Sequence, residues 1–181
     1  YASGDKVDLL LPEVQRELIE AVMKVGKPTI ILNMTGSAMD LRFEQEHADA
    51  IMQVWYPGAR GGKVIADLLF GKMSPSGKLP ITFYNDTADL PAFEDYSMKG
   101  RTYRYLESAP LYPFGYGLSY GDADITAVEC NGQKVATGAN VAVDTKAGMS
   151  ITVEVENKSN MELGEVVQVY IKDMDSAFAT T

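Results

Sequence analysis

The segment from Trp55 to Tyr84 restricts the fold of this chain more than any other part of the sequence. An apolar run ends at Trp55 and is followed by the turn residues Pro57-Gly58 and the pair Gly61-Gly62. Residues 63–70 then place their apolar side chains on one side of a short helix, and a Pro-Ser-Gly turn at 75–77 leads into an extended exit. This order predicts a strand, a glycine turn and a helix, which is the connection typical of α/β proteins.

The residues before this segment show the same alternation. A helix is predicted from Leu11 to Val25, because apolar residues recur at helical spacing and Gly26 provides a C-terminal cap. A strand covered on both faces is expected at 29–34, followed by a short polar helix at 44–49 and a second strand at 50–56. We therefore predict an α/β fold: a partial αβα sandwich with a mostly parallel sheet.

After Tyr120 the hydrophobic pattern changes to alternation with a period of two. Strands are predicted at 125–129, 141–143, 151–156 and 166–171, with turn signals between them. Four or five strands correspond to an incomplete immunoglobulin-like or fibronectin III-like β-sandwich, since the complete sandwich has about seven. Residues 1–120 carry 12 basic and 15 acidic side chains, whereas residues 121–181 carry 4 and 10. We therefore predict two domains, 1–120 and 121–181, the first lacking its beginning and the second its end.

The composition argues against several classes of function. A net charge of −9 disfavours nucleic-acid binding, which needs a basic surface. No apolar run reaches the roughly 18 residues of a membrane span. His47 is the single histidine and is expected on a solvated helix face, while Cys130 is the single cysteine and is expected as a plain strand residue. We predict no metal, no cofactor and no nucleophilic triad.

The loop Gly58–Lys63 follows a strand and precedes a helix, a position where anions can bind. The phosphate-binding loop, however, requires glycine at the position of Pro57 and serine or threonine at the position of Val64. Close packing of strand and helix is the preferred interpretation of these glycines. A nucleotide-binding α/β domain depends on this loop alone and is disfavoured.

Aromatic residues, proline and glycine are frequent between Tyr84 and Tyr120, which predicts a long ordered segment beside a site. Within it, Glu94-Asp95 is expected to form an ion pair with Arg101 or Arg104. Glycoside hydrolysis needs two carboxylates on opposite sides of the scissile bond, and the sequence nominates no such pair.

Several motifs together resemble the C-terminal portion of glycoside hydrolase family 3, the family of β-glucosidases and β-xylosidases. The resemblance covers almost all of residues 4–120, and the bacterial β-xylosidases look most similar. Gly164–Tyr170 also resembles the fibronectin type III-like module that follows in many of these enzymes. The motifs that carry the resemblance are Leu9–Ile19, Gly26-Lys-Pro28, Thr35-Gly-Ser-Ala38, Trp55-Tyr-Pro-Gly58, Gly61-Gly62, Ala66–Gly71, Pro75–Pro80, Asp95–Tyr105 and Pro113–Tyr120.

The resemblance implies a longer enzyme with a retaining mechanism, in which a nucleophilic Asp lies on an N-terminal barrel and an acid/base Glu lies upstream of Gly4-Asp-Lys6. Neither residue can be placed in this chain, so we assign no catalytic residue and expect the chain alone to be inactive. Ala59-Arg60 stands where such enzymes commonly have Gln-Glu. We expect Met98, Lys99 and Arg101 to line the entrance of the substrate pocket in the longer enzyme.

The expected partners are the barrel domain of the same protein and an oligosaccharide or an aryl or alkyl β-glycoside. The resemblance also implies a secreted or periplasmic protein. The alternative hypothesis is a non-catalytic carbohydrate-binding or adhesion module, suggested by ten tyrosines, an acidic β-module and the missing nucleophile.

Overall fold

The computed structural model describes residues 6–144, 146–171 and Asp175. Gly4-Asp5 and the segment 177–181 lie outside the described residues. The chain divides into two compact units, one formed by residues 1–64, 78–117 and 168–181 and the other by residues 65–77 and 118–167. The elements in chain order are α1 (Glu13–Met23), β1 (Ile30–Asn33), α2 (Arg42–His47), β2 (Ala50–Gln53), α3 (Gly61–Leu69), a 3-10 turn (Thr87–Asp89), α4 (Thr102–Tyr105), β3 (Ala123–Cys130), β4 (Gln133–Lys134) and β5 (Ile151–Asn157).

The first unit contains the predicted β–α–β alternation. β1 and β2 pair in parallel, with Ile30 opposite Ala50 and Asn33 opposite Gln53, and α2 lies between them in sequence. Val54 continues the ladder, because its backbone N–H donates to the carbonyl of Asn33 at 2.9 Å. The structure thus confirms a mixed α/β fold with a parallel sheet, and the predicted helices and strands of residues 11–70 are present. α1, β1 and β2 are shorter than predicted, α2 begins and ends two residues earlier, and α3 begins two residues earlier and ends one residue earlier.

The core of the first unit is small and is centred on Phe83. Four buried apolar residues form it, and the partly buried Trp55 and Tyr112 pack against them with their rings edge-on to Phe83. The segment at 79–83 is held in place by antiparallel backbone hydrogen bonds, including Phe83 N–H to Tyr112 O at 2.9 Å. The four buried residues are Ala38, Met39, Leu41 and Phe83.

The apolar face of α1 is exposed. Val14 is 76% exposed and Leu18 is 63% exposed, although their helical spacing predicts burial. The prediction that the first strand is covered on both faces is wrong, because Ile30 and Leu32 are exposed on one side of β1. The physical reason is that β1 and β2 form a two-stranded sheet, and in the described part of the chain nothing covers that side. Apolar side chains of α1 and of β1 in this unit therefore face solvent.

The second unit contains an antiparallel sheet with the order β4-β3-β5. β3 and β5 confirm two of the predicted strands, and Cys130 is a buried residue of β3, as expected. The strands predicted at 141–143 and 166–171 are wrong: both segments are described and neither is a strand. A strand requires a neighbour for its hydrogen bonds, and alternation of side chains alone does not provide one. A complete sandwich is therefore absent from the described residues.

Candidate functional site

A cavity of about 500 Å³ lies at the carboxyl ends of β1 and β2. Residues 34–37, which follow β1, and Tyr56, which follows β2, line one part of it. Residues between Lys6 and Gln15, before and within the first turn of α1, line the rest. Ligands of parallel α/β sheets bind outside the carboxyl ends of the strands, and cavities of this volume suit small molecules. The topology therefore nominates this cavity as the candidate site of the first unit.

Hydrogen bonds fix the turn that forms the wall of the cavity. Asn33 is buried and its amide donates to Gln53 Oε1 at 2.6 Å, which joins the ends of the two strands. The Gln53 amide donates in turn to the carbonyl of Thr35 at 3.0 Å. Thr35 Oγ1 then donates to the carbonyl of Ser37 at 2.8 Å. This network keeps the 35–37 turn in one position relative to β2.

The charged groups of the cavity have partners within the chain. Lys6 Nζ donates to the carbonyl of Ala38 at 3.0 Å and lies 2.8 Å from the sulfur of Met39. Burial lowers the pKa of Lys6, and the nearby charge of Asp8 offsets only part of that effect. Asp8 Oδ1 accepts a hydrogen bond from the backbone N–H of Leu10 at 3.0 Å. The lining thus combines one positive and one negative side chain with neutral hydroxyl and amide groups.

Arg101 organises the loop in which the sequence places the substrate-binding residues. Its guanidinium donates to the carbonyl of Ala92 at 3.0 Å and to the carbonyl of Asp95 at 2.9 Å. Among the described residues, neither Arg101 nor Arg104 makes an ion pair with Glu94 or Asp95, so that expectation is wrong. The reason is that backbone carbonyls occupy the guanidinium of Arg101.

Asp95 has a separate partner, because its carboxylate accepts from the backbone N–H of Ser97 at 2.8 Å. The hydrogen bonds of Ser97, helped by the charge of Arg101 and opposed by partial desolvation, hold the pKa of Asp95 below its usual range.

Met98 and Lys99 are exposed on the same loop. Gly100 follows them with φ +71°, and Thr102 takes up φ +58° while its N–H donates to the hydroxyl of Tyr84 at 2.8 Å. The structure brings Met98, Lys99 and Arg101 onto one loop, but none of the three lines the cavity at the strand ends. Their contact with a sugar remains a prediction.

Two groups of charged residues near α2 were not singled out by the sequence. Arg42 forms two ion pairs: its Nη2 lies 2.6 Å from Oδ2 of Asp40 and 2.8 Å from Oδ2 of Asp86. Burial opposes the ionisation of Asp40, but hydrogen bonds and charge from Arg42 outweigh it and lower the pKa of that carboxyl.

Glu44 is fully buried, and in the described residues neither of its oxygens has a hydrogen-bond partner. Burial, followed by the proximity of Tyr116 and Glu44, raises the pKa of Tyr112 to about 12.

The remaining sequence candidates have structural roles. His47 is exposed, stacks on Phe43 at 4.3 Å and contacts the carbonyl of that residue. A Cβ atom at Gly61 would lie 2.4 Å from Pro57 of the same loop, whereas a Cβ atom at Gly58 or Gly62 would have no atom within 4 Å. Close packing of strand and helix through these glycines therefore stays a prediction. In residues 6–144, 146–171 and 175, no group of three His, Cys, Asp or Glu side chains is placed to hold a metal ion. Over the same residues no helix combines the length and the apolar character that crossing a membrane requires.

Comparison with known families assigns the first 120 residues. The model of the glycosyl hydrolase family 3 C-terminal domain matches residues 2–120. The chain belongs to glycoside hydrolase family 3. The family 3 motifs quoted from Leu9 to Tyr120 fall inside this match, and so do all the residues that line the cavity.

Family 3 relatives are similar over nearly the whole chain. A xylan 1,4-β-xylosidase of Xylanibacter ruminicola is 44% identical over 174 residues, which is 96% of this chain and 19% of that protein. A periplasmic β-glucosidase of Salmonella typhimurium is 34% identical, over 99% of this chain and 24% of its own length. A solved β-glucosidase from Erythrobacter marinus is 38% identical with a TM-score of 0.58, covering 72% of this chain and 18% of that one. The family 3 chain described here thus spans about a fifth to a quarter of these relatives.

Sequence reasoning missed the residues that line the cavity, above all Tyr56, Gly36 and Lys6. A usable signal was present. Two runs predicted as parallel strands end just before Thr35-Gly36 and Tyr56, and the carboxyl ends of such strands share one edge of the sheet. The motifs were used to identify the family, whereas their position at the strand ends was not used to locate a site.

Proposed function

We propose that this chain is the C-terminal part of a retaining β-glycosidase that removes terminal β-linked sugars from oligosaccharides. The observation that carries the proposal is the family 3 match together with relatives named as β-xylosidases and β-glucosidases. The 44% identity to a xylan 1,4-β-xylosidase favours β-xylosides over β-glucosides as the first substrates to test. The nucleophilic Asp and the acid/base Glu lie outside the 181 residues in this proposal, and the chain alone is inactive.

The exposed apolar side chains of α1 and of β1 support a larger parent protein. Val14 and Leu18 would each gain about 1.5–3 kcal/mol from full burial, which makes it unfavourable to leave them in water. We propose that earlier parts of the same protein, including a barrel domain, cover this surface. We also propose that residues 1–120 and 121–181 form separate domains, and that the second belongs to a fibronectin III-like module.

The activity is tested with aryl β-xylosides and aryl β-glucosides. The gene region that encodes this chain and the sequence before it is expressed, and its product is compared with the purified 181-residue chain. The longer product is expected to hydrolyse at least one of the substrates, with retention of the anomeric configuration, and the short chain is expected to hydrolyse neither. Hydrolysis by the short chain would show that its own carboxylates suffice for catalysis. No hydrolysis by the longer product would refute the proposed activity.

The covered surface is tested with charges on α1. In the longer protein, Val14→Lys combined with Leu18→Lys is expected to lower the stability by several kcal/mol, because a buried unpaired charge is costly. In the 181-residue chain the same pair is expected to change the stability by less than about 0.5 kcal/mol per site, since both positions are exposed. Glu17→Lys, which changes a charge at another exposed position of α1, serves as the matched control. Equal effects in both proteins would mean that the surface stays exposed.

The predicted pocket-entrance residues have a test that uses the contacts of Arg101. Met98 and Lys99 expose their side chains, whereas Arg101 donates to loop carbonyls, so we propose direct contact with the substrate for the first two and loop support for Arg101. In the longer enzyme, Lys99→Ala and Met98→Ala are expected to raise KM without changing the Tm. Arg101→Ala is expected to raise KM and to increase the proteolysis of residues 91–97. Unchanged specificity constants in all three variants would remove this loop from the substrate pocket.

A carbohydrate-binding module without catalysis is the second candidate function. The observation that favours it is the strong exposure of tyrosine rings, above all Tyr56 and Tyr96. Calorimetry of the 181-residue chain with xylo- and gluco-oligosaccharides distinguishes the two functions. Clear binding by the chain, combined with an inactive longer product, would favour the module.

A further inference from the structure

Trp55 has a backbone conformation that is unfavourable for a bulky residue. Its φ is +55°, in the left-handed region that is rare outside glycine. Strain of this kind persists where the surrounding structure enforces it, and such positions cluster at functional sites. Here the indole packs into the core and meets the ring of Phe83 edge-on, with the centroids 6.4 Å apart. The next residue, Tyr56, leaves the core completely and is 80% exposed.

The exposed ring of Tyr56 lies directly over Gly36, at the carboxyl end of β1. A Cβ atom at Gly36 would stand 2.7 Å from Cε2 of Tyr56 and 2.9 Å from its hydroxyl oxygen. Gly36 does not have a positive φ, so its backbone would accept alanine. Glycine is therefore required at position 36 because the Tyr56 ring approaches closely, and not because of the backbone conformation of the turn. Trp55 and Gly36 together place one aromatic ring at the edge of the strand-end cavity.

The other groups of the cavity suit a neutral, hydroxylated ligand. Lys6 and Asp8 carry opposite charges, and both already bond within the chain. Ser37 adds a hydroxyl group on the Gly36 side, whereas Thr35 Oγ1 already donates to the carbonyl of Ser37. Tyr56 offers an apolar ring face with a polar tip. A sugar ring has the complementary chemistry, with C–H groups on its faces and hydroxyls on its rim. An anionic ligand would find no surplus of positive charge.

We propose that Tyr56 stacks on a sugar ring of the β-glycoside and that Gly36 is the residue that allows the ring to take this position. Tyr56 is then a substrate-binding residue and Gly36 a positioning residue that acts through it. The inference rests on the proposed function, because the proposed glycosidase activity is the reason for taking a sugar as the ligand of the cavity.

The test measures hydrolysis of an aryl β-xyloside or aryl β-glucoside by the longer enzyme and, in parallel, calorimetric binding of S-linked xylobiose, a thioglycoside that the enzyme is not expected to cleave. Tyr56→Ala is expected to raise KM and the Kd of S-linked xylobiose about tenfold, because it removes roughly one aromatic stacking contact, and to change kcat by less than about threefold. Tyr56→Phe keeps the ring and is expected to stay within about threefold of the parent enzyme. Gly36→Ala is expected to raise KM in the parent, because it displaces the ring, and to have no further effect in the Tyr56→Ala background.

Matched controls separate this role from general destabilisation. Phe70→Ala removes a ring that is 81% exposed at the end of α3, and Gly77→Ala adds a methyl group to a turn with no atom within 4 Å. Neither control is expected to change KM or Kd. Unchanged KM and Kd in Tyr56→Ala, in an enzyme that hydrolyses glycosides, would overturn the inference while the proposed function stands. An enzyme that hydrolyses no glycoside would overturn the proposed function. In that case the Kd of S-linked xylobiose for Tyr56→Ala would still show whether Tyr56 stacks on a sugar.

Discussion

Replacing Phe83 with alanine should remove the centre of the core of the first unit. The side chain is 1% exposed and is among the largest fully buried side chains of the described residues. A buried Phe→Ala substitution costs about 3–5 kcal/mol, from lost transfer free energy and from the cavity that remains. The core around Phe83 is small, and Trp55 and Tyr112 on its border are only partly buried, so they have room to relax into the cavity. We therefore expect the lower end of that range, about 3 kcal/mol.

Urea unfolding of the 181-residue chain, followed by tryptophan fluorescence, measures this loss. Trp55 is the single tryptophan and packs beside Phe83, so its emission reports on this core and not on the second unit. With an m-value of about 2 kcal/mol/M, a loss of about 3 kcal/mol lowers the midpoint by about 1.5 M. Phe70→Ala removes an exposed ring and should shift the midpoint by less than about 0.3 M. Equal shifts for the two variants would show that Phe83 is not at the centre of a folded core.

Two further predictions concern the start of α3 and the buried acid near α2. Gly61→Ala is expected to destabilise the chain by about 1–3 kcal/mol, because its methyl group would lie 2.4 Å from Pro57. Gly62→Ala adds a methyl group in open space and should stabilise the chain by up to about 1 kcal/mol, because alanine favours the helix more than glycine does. Thermal or urea unfolding measures both changes. Asp40→Asn is expected to cost about 1–2 kcal/mol at pH 7, a value reduced by the exposure of Arg42. Folding lowers the pKa of Asp40. The ionised carboxylate therefore stabilises the folded chain fully above the ordinary aspartate pKa, and this stabilisation is lost as the pH falls through the pKa that Asp40 has in the folded chain. Urea midpoints of the parent and of Asp40→Asn should therefore converge below about pH 4, and a constant difference down to pH 2 would contradict the assignment.

The elements of residues 11–70 could be predicted because local signals agree with one another there. Apolar spacing, Pro12 at the start of α1 and Gly26 after its end all indicate the same helix. The burial of these elements could not be predicted, since it depends on what packs against them. The exposure of Val14 on α1 shows this difference, because periodicity describes a face and not its partner.

The second half of the chain and the site were harder to predict for a related reason. Residues 141–143 alternate like β5 but have no paired neighbour among the described strands, and strand formation is a non-local event. The contacts of Arg101 with backbone carbonyls depend on the path of the loop, which no pattern of residue types encodes. Likewise, the meeting of Tyr56 with Gly36 joins residues 20 positions apart through the parallel register of β1 and β2.

The two-stranded parallel sheet of β1 and β2 should make refolding of this chain sensitive to protein concentration. In the described residues each strand pairs only with the other, so one edge of each offers free backbone donors and acceptors. Two strands seldom form a stable sheet by themselves, and edges of this kind template pairing between molecules. Dilution from denaturant should therefore give more monomer at low protein concentration, and co-expression with the proposed N-terminal part of the protein should increase the soluble yield. In the longer protein proposed above, the N-terminal part leaves the ribosome first and can present its strands before this segment arrives.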